Sequence, residues 1–272
     1  GADMDFPCPR PVVEAVCRRA AHPVYGYSDM SIHAKELAAA WQEKKNGWKA
    51  KPEWVTFSNG IVPALSAMVA AFTEPGEGVI IQPPVYYPFR DSVVNNDRKL
   101  VENPLVFDGE KWGIHFDELE ELAADPANRL LLLCHPLNPV SRVLNEEELK
   151  RIGDICLRNH VIVAVDEIHS DLTYRHKHFY SLAGLGEAYE QISATAMAPS
   201  KVFNIAGLQT SAILIPNEDL REAFIKEMDK RVYIPNLFGA AAFDAAYSDP
   251  ECEEYLEQLL TYLWENYLFV GI

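Results

Sequence analysis

The stretch Ala196-Met-Ala-Pro-Ser-Lys-Val-Phe-Asn-Ile-Ala-Gly-Leu208 decides how this chain is read. Its one charged residue is Lys201, set in an apolar run that follows a strand-like segment, Ile192 to Ala196. Burying an ammonium without a partner is costly. Burial lowers a lysine's pKa, and a neutral amine condenses with a carbonyl to form a Schiff base. Taken alone, Lys201 reads more simply as a loop lysine whose head reaches water. Asp166, which closes the apolar run Val161-Ile-Val-Ala-Val165, tips that balance. An acid ending one core strand and a lysine just beyond the next form the pair that pyridoxal phosphate (PLP) requires. The amine takes the aldehyde, and the carboxylate keeps the pyridine nitrogen protonated so that the ring acts as an electron sink.

Two segments carry a family resemblance: Asp-Glu-Ile-His-Ser-Asp-Leu at 166–172 and Ala-Pro-Ser-Lys-Val-Phe-Asn-Ile-Ala-Gly-Leu at 198–208. They resemble the signature segments of fold-type I PLP enzymes. More narrowly, they resemble the MalY/PatB branch of class I/II aminotransferase-like proteins, which are cystathionine β-lyase type C–S lyases. Ala-Asp-Met-Asp-Phe (2–6) and Phe-Ser-Asn-Gly-Ile-Val-Pro-Ala-Leu (57–65) resemble the same branch, and the motifs fall in the family's order. The resemblance implies a chain shortened at both ends. Relatives begin earlier and continue past Phe-Val-Gly-Ile (269–272) into a second domain of roughly a hundred residues. The expected division is an N-terminal segment (1–22), a PLP-binding large domain (23–249) and the start of an interdomain helix (250–272).

Bulk properties narrow the function classes. A hydrophobic content of 49% with 24% charged residues calls for a packed globular core rather than disorder. A net charge of −16 argues against nucleic acid or an anionic membrane surface as partner. No apolar run is long enough to span a bilayer. The cysteines (Cys8, Cys17, Cys134, Cys156 and Cys252) are odd in number and lack Cys-x-x-Cys spacing. They read as reduced thiols of a cytoplasmic protein, not as a zinc site or disulfides.

Apolar strands alternating with amphipathic helices predict a doubly wound α/β domain with a mostly parallel sheet. Helices are expected over 11–21, 31–46, 116–124, 145–159, 217–230 and 250–269, and from 61 along the stripe Ile61, Leu65, Met68, Val69 and Phe72. Strands are expected near 54–57, 78–82, 100–104, 130–134, 161–165, 192–196 and 209–215. The free amides of Gly60, Ile61 and Val62 would sit at a helix N-terminus, where a phosphate binds without a basic side chain. The long final pattern puts Cys252, Leu256, Leu259, Leu260, Leu263 and Tyr267 on one stripe. Without a further domain, part of that stripe would stay exposed.

The resemblance assigns the remaining site residues. Lys201 is the Schiff-base lysine and Asp166 the partner of the ring nitrogen. Tyr86, with Tyr87 beside it, takes the place of the aromatic that stacks on the pyridine ring. Asn138 matches the asparagine that donates to the ring hydroxyl oxygen and helps hold the substrate carboxylate. Around it, His135, Val140 and Ser141 replace the usual Asn, Thr and Gly, and the lost glycine bears on the turn geometry. His169 stands where aminotransferases of this fold carry tyrosine, and histidine there is typical of the C–S lyase branch. Ser200 supplies a phosphate hydroxyl. Gln209 occupies the place of a phosphate-binding arginine, which leaves that task to amides and hydroxyls. Tyr27 matches a tyrosine that crosses a homodimer interface to the other subunit's phosphate, although alone it reads as a loop aromatic. The implied activity is β-elimination from a sulfur amino acid such as cystathionine or cysteine, giving a thiol, pyruvate and ammonia. An aminotransferase on the same scaffold and a non-catalytic PLP-binding remnant are the alternatives. No residue matches the family's C-terminal carboxylate-clamping arginine, and Arg90 and Arg142 stay unassigned.

Overall fold

Leu130 to Leu133 show no polar alternation, which a strand tolerates only when both faces of its sheet are covered. That is how they lie in the computed structural model, which describes residues 3–271. Ala2 of the motif at 2–6 and Ile272 of the closing Phe-Val-Gly-Ile lie outside the described residues. The strands in chain order are β1 (Val55–Ser58), β2 (Gly78–Ile81), β3 (Lys99–Glu102), the small hairpin β4 (Val106–Phe107) and β5 (Trp112–Gly113), then β6 (Asn128–Cys134), β7 (Ile162–Asp166), β8 (Ser193–Met197) and β9 (Ser211–Leu214). All but the hairpin join one sheet in the order β1-β9-β8-β7-β6-β2-β3. The strands from β8 to β3 are parallel, whereas β9 runs antiparallel to both β8 and β1.

The helices are α1 (Arg10–Ala21), α2 (Ile32–Asn46), α3 (Ile61–Phe72), α4 (Pro88–Val94), α5 (Phe116–Ala124), α6 (Glu146–Arg158), α7 (Glu187–Glu190), α8 (Glu218–Lys230), α9 (Leu237–Ser248) and α10 (Pro250–Val270). They cover the sheet as the apolar strands require. Leu130 and Leu132 pack in one cluster with Leu65, Met68 and Phe224 of α3 and α8. Leu131 and Leu133 pack on the opposite face with Leu119, Leu149 and Ile152 of α5 and α6. Full burial of a leucine is worth about 1.5–3 kcal/mol, so this run alone anchors the middle of the sheet. A third cluster sets Trp41, Phe243, Tyr247 and Leu256 against Phe57 and Leu214 at the β1–β9 edge.

Local signals explain where the helices begin and end. Ser31 caps α2 by accepting from the Ala34 N–H at 2.9 Å, and Gly47 closes it in the left-handed region at φ 70°. Asn145 and Glu148 form a reciprocal capping box at the start of α6. Helix α9 has no counterpart in the sequence reading. Its Leu-Phe-Gly-Ala-Ala-Ala-Phe run is apolar on most sides, so it offers no stripe to read. In α10 the stripe divides: Cys252, Leu256, Leu259 and Leu260 are buried, but from Thr261 onward the helix emerges, with Phe269 92% exposed.

Candidate active site

The sheet register aligns Cys134, Asp166 and Ala196 side by side at the carboxyl ends of β6, β7 and β8. In open α/β sheets this is the end where ligands bind. Ala164, two residues before Asp166, belongs to the cluster on the α3 side, so the Asp166 side chain faces that way too. The carboxylate is buried, and its Oδ1 accepts from the Ile168 N–H at 3.0 Å. Burial pushes the Asp166 carboxyl up to about 6, while the Ile168 amide and the Lys201 ammonium pull it back. The lysine predicted to share this site therefore lies within the field of the acid. It comes from the turn after β8, pinned by the buried Val202 and Phe203 and by the Ile205 N–H donating to the Ser200 carbonyl at 3.0 Å.

His169 follows β7 and opens a short 3-10 turn at Ser170–Leu172. Burial first, and the nearby Lys201 charge second, lower its pKa and favour the neutral ring. Tyr86, after β2, is 38% exposed. Partial burial, then Tyr87, then Asp166 raise its phenol, so its hydroxyl feels the same carboxylate. Asn138 is tied in through Cys134: the Asn138 backbone N–H lies against that thiol, which sits beside Asp166. The structure thus gathers Tyr86, Asn138, Asp166, His169 and Lys201 at one end of the sheet.

The helix predicted to offer its N-terminus begins after Gly60 (φ 98°), and no side chain caps it. The Ile61 and Val62 amides have no intrahelical acceptor by their position in the first turn, and α3 packs on β6, β7 and β8. Ser58 Oγ, buried at the end of β1, has no partner among the described residues. Gln209 is held in a left-handed conformation (φ 43°) between Leu208 and β9. Tyr27 stands apart: it is 94% exposed and does not join this site within its own chain.

Four placements were not legible in the sequence. Asn204 exchanges hydrogen bonds with Met4, donating to its carbonyl at 2.8 Å and accepting from its N–H at 3.1 Å, and docks the lysine turn on the N-terminal motif. His135, a departure from the family pattern, is fully buried, stacks on Phe179 at 4.6 Å and bonds the Tyr180 carbonyl through Nε2 at 3.1 Å. Burial lowers its pKa to about 3, so the ring stays neutral and Nε2 is the donor. Ser141, where the family has glycine, adopts φ 54°, in the left-handed region that glycine takes freely. Next to Asp166, Glu167 is also buried, and Ser181 Oγ donates to its Oε1 at 2.6 Å.

The donor set suits one kind of group. A buried carboxylate fits a protonated ring nitrogen, a lysine amine within its field fits an aldehyde, and an uncapped helix N-terminus fits a phosphate. Among the described residues no cluster of histidine, cysteine or acidic side chains is arranged to hold a metal, and no helix is long and apolar enough to cross a membrane.

A parallel-rich sheet that sets an acid and a lysine together at its carboxyl edge defines the class of fold-type I PLP enzymes. Residues 2–269 match the family described as aminotransferase class I and II, and the chain belongs to that family. It is 43% identical over 267 residues to cystathionine beta-lyase PatB of Bacillus subtilis, covering 97% of this chain and 68% of that protein. It is 27% identical to protein MalY of Escherichia coli, covering 99% of this chain and 69% of that protein. The PLP-bound C–S lyase of Staphylococcus hominis superposes with a TM-score of 0.93 at 30% identity, over all of this chain and 68% of that one. The chain thus spans about two thirds of the length of these relatives.

Proposed function

We propose that this chain is a PLP-dependent carbon–sulfur β-lyase, converting a thioether amino acid and water into a thiol, pyruvate and ammonia. The observation that carries the reading is the buried Asp166 carboxylate lying in the field of Lys201. The similarity to PatB supports the choice of elimination.

When bound, PLP would supply an electron sink for charge developing at the substrate α-carbon. The chain's own residues supply the rest. Asp166, deprived of water, would hold a proton on the ring nitrogen by ionising against it, and a cationic neighbour there would overcome the burial that otherwise keeps it half protonated near pH 6. Lys201 Nζ is the amine for the cofactor aldehyde and, once free, the base that takes the proton from substrate Cα. Loss of that proton lets the sulfur leave from Cβ as a thiolate. The amides of Gly60, Ile61 and Val62 and the Ser200 hydroxyl would hold the phosphate. Asn138 and His169 would face the ring hydroxyl, and Tyr86 would cover the ring. His169, rather than a phenol, at that position favours elimination over amino-group return.

The reading extends to a homodimer in which the exposed Tyr27 reaches the neighbouring subunit's phosphate. It also places the enzyme in the cytoplasm, consistent with its five free thiols. Incubation of the cofactor-loaded chain with cystathionine is expected to release thiol and pyruvate together without a keto acid. Transfer that requires a keto acid, with no thiol released, would instead make it an aminotransferase.

A further inference from the structure

His169 and Lys201 both stand outside the long helices and strands. His169 opens a 3-10 turn of three residues, Ser170–Leu172, with no side-chain cap. Such turns are short and their hydrogen bonds poorly aligned, so tertiary contacts must fix them. Lys201 lies in the loop between β8 and β9, closed by backbone bonds from the Phe203 N–H to Pro199 and from the Ile205 N–H to Ser200, each at 3.0 Å. The separation of His169 from Lys201 therefore depends on what braces one turn against the other.

Trp41, in α2, touches both turns. Its indole N–H donates to the Asp171 carboxylate, shared between Oδ1 at 3.1 Å and Oδ2 at 3.0 Å, two residues beyond His169. Its ring meets that of Phe203 edge-on, two residues beyond Lys201, with centroids 6.4 Å apart. Both rings are buried. Tyr247 packs on the indole at 4.8 Å, and the Lys45 ammonium lies 5.0 Å from its ring centroid. Lys45 is tied in turn to Glu253 at 3.3 Å. An indole has one donor and no acceptor, so a ring gripped in this way can meet the acid in only one orientation. The His169 ring feels the Lys201 charge, which puts the two turns side by side.

We propose that Trp41 is a positioning residue: it braces the His169 turn against the lysine turn and so sets the separation of His169 from Lys201. The inference rests on the β-lyase reading, which places both residues in the site. The hydrogen bond to a carboxylate gives the brace its direction, and the ring contact gives it stiffness. Trp41→Phe keeps an apolar ring in the core but removes the donor, which frees the Asp171 end of the turn to move toward water.

The test follows the NMR titration of the His169 imidazole in the cofactor-free chain, assigned by its loss in His169→Gln. Trp41→Phe is expected to raise the midpoint toward 6.5, since a displaced turn loses both its burial and the Lys201 field. In the PLP-loaded chain the same variant should lower kcat for cystathionine about tenfold to a hundredfold and leave KM within about twofold. Asp171→Ala should reproduce both effects, and it carries the test if Trp41→Phe does not fold. Val12→Ala controls for general loosening: it lies in the same core cluster, but on α1, which packs on α9 and α10. An unmoved midpoint in Trp41→Phe, or an equal shift in Val12→Ala, would overturn the proposal. So would an unchanged kcat, or a loss confined to KM, in an active chain. If the unaltered chain cleaves no thioether, the β-lyase reading fails, and the His169 midpoint alone then decides whether Trp41 is the brace.

Discussion

Asp166 shows how one side chain can be costly without its ligand and indispensable with it. Its carboxyl is raised to about 6 by burial, against an unfolded value near 3.8. A raised acid binds its proton more tightly in the folded state, so stability falls as pH rises from about 4 to about 6 and stays low above that. The difference corresponds to roughly 3 kcal/mol. Asp166→Asn is therefore expected to raise the melting temperature of the cofactor-free chain at pH 7.5 and to change it little at pH 4, while abolishing elimination. A melting temperature lowered at both values would mean that the carboxylate is satisfied by the protein alone. Gly60 makes a second case at this scale. A Cβ there would find its nearest neighbour, Pro63 Cδ, at 4.0 Å, so no clash forbids it; the obstacle is φ 98°. Gly60→Ala should cost about 1–3 kcal/mol of stability, from backbone strain alone, and weaken phosphate binding, as chemical denaturation and cofactor titration would show. The pair Asp166 and Lys201 was legible in the sequence because a charge closing an apolar run stands out. Asn204 and His135 were not, since their partners, Met4 and Tyr180, lie far off in the chain.

At the scale of elements, the segment after β7 carries a buried acid, Glu167, and a half-buried one, Asp171. Glu167 is pushed up to about 8 by burial, against the opposing Ser181 hydrogen bond, and Asp171, bonded by the Trp41 indole N–H, up to about 6. Glu167 thus adds a second loss of stability as pH climbs from about 4.5 toward 8. Glu167→Gln, which keeps an acceptor for Ser181, should flatten the stability profile across that window; an unchanged slope would show that Glu167 is already ionised in the folded protein. Most strands and helices could be read from period and capping, because burial on one side leaves a pattern. Helix α9 escaped because its apolar residues point to most sides at once, and the reversal of β9 escaped because a short buried strand reads alike in either direction. Helix α10 carries both outcomes in one element. Leu256→Ala, in the buried half, should cost about 2–5 kcal/mol, whereas Phe269→Ala, in the exposed half, should leave the melting temperature nearly unchanged.

For the whole molecule, the proposed dimer makes each site a shared object. Tyr27, 94% exposed in its own chain, would complete the site of its neighbour. Mixing Tyr27→Ala subunits with Lys201→Ala subunits, after unfolding and refolding together, should restore activity that neither variant has alone. Each mixed dimer would hold one site with both residues intact. A mixture no more active than its components would confine Tyr27 to a surface role. The sheet and its carboxyl edge were foreseeable from the strand runs, and so was the chemistry they display.

The proposed chemistry requires that the cofactor be held covalently by the one lysine facing Asp166. Borohydride reduction of the PLP-loaded chain, followed by peptide mass mapping, tests this most directly. The expected result is the reduced cofactor on the peptide carrying Lys201, and no modification of that kind in Lys201→Ala. Attachment at a different lysine, or a Lys201→Ala variant labelled as fully as the unaltered chain, would contradict it.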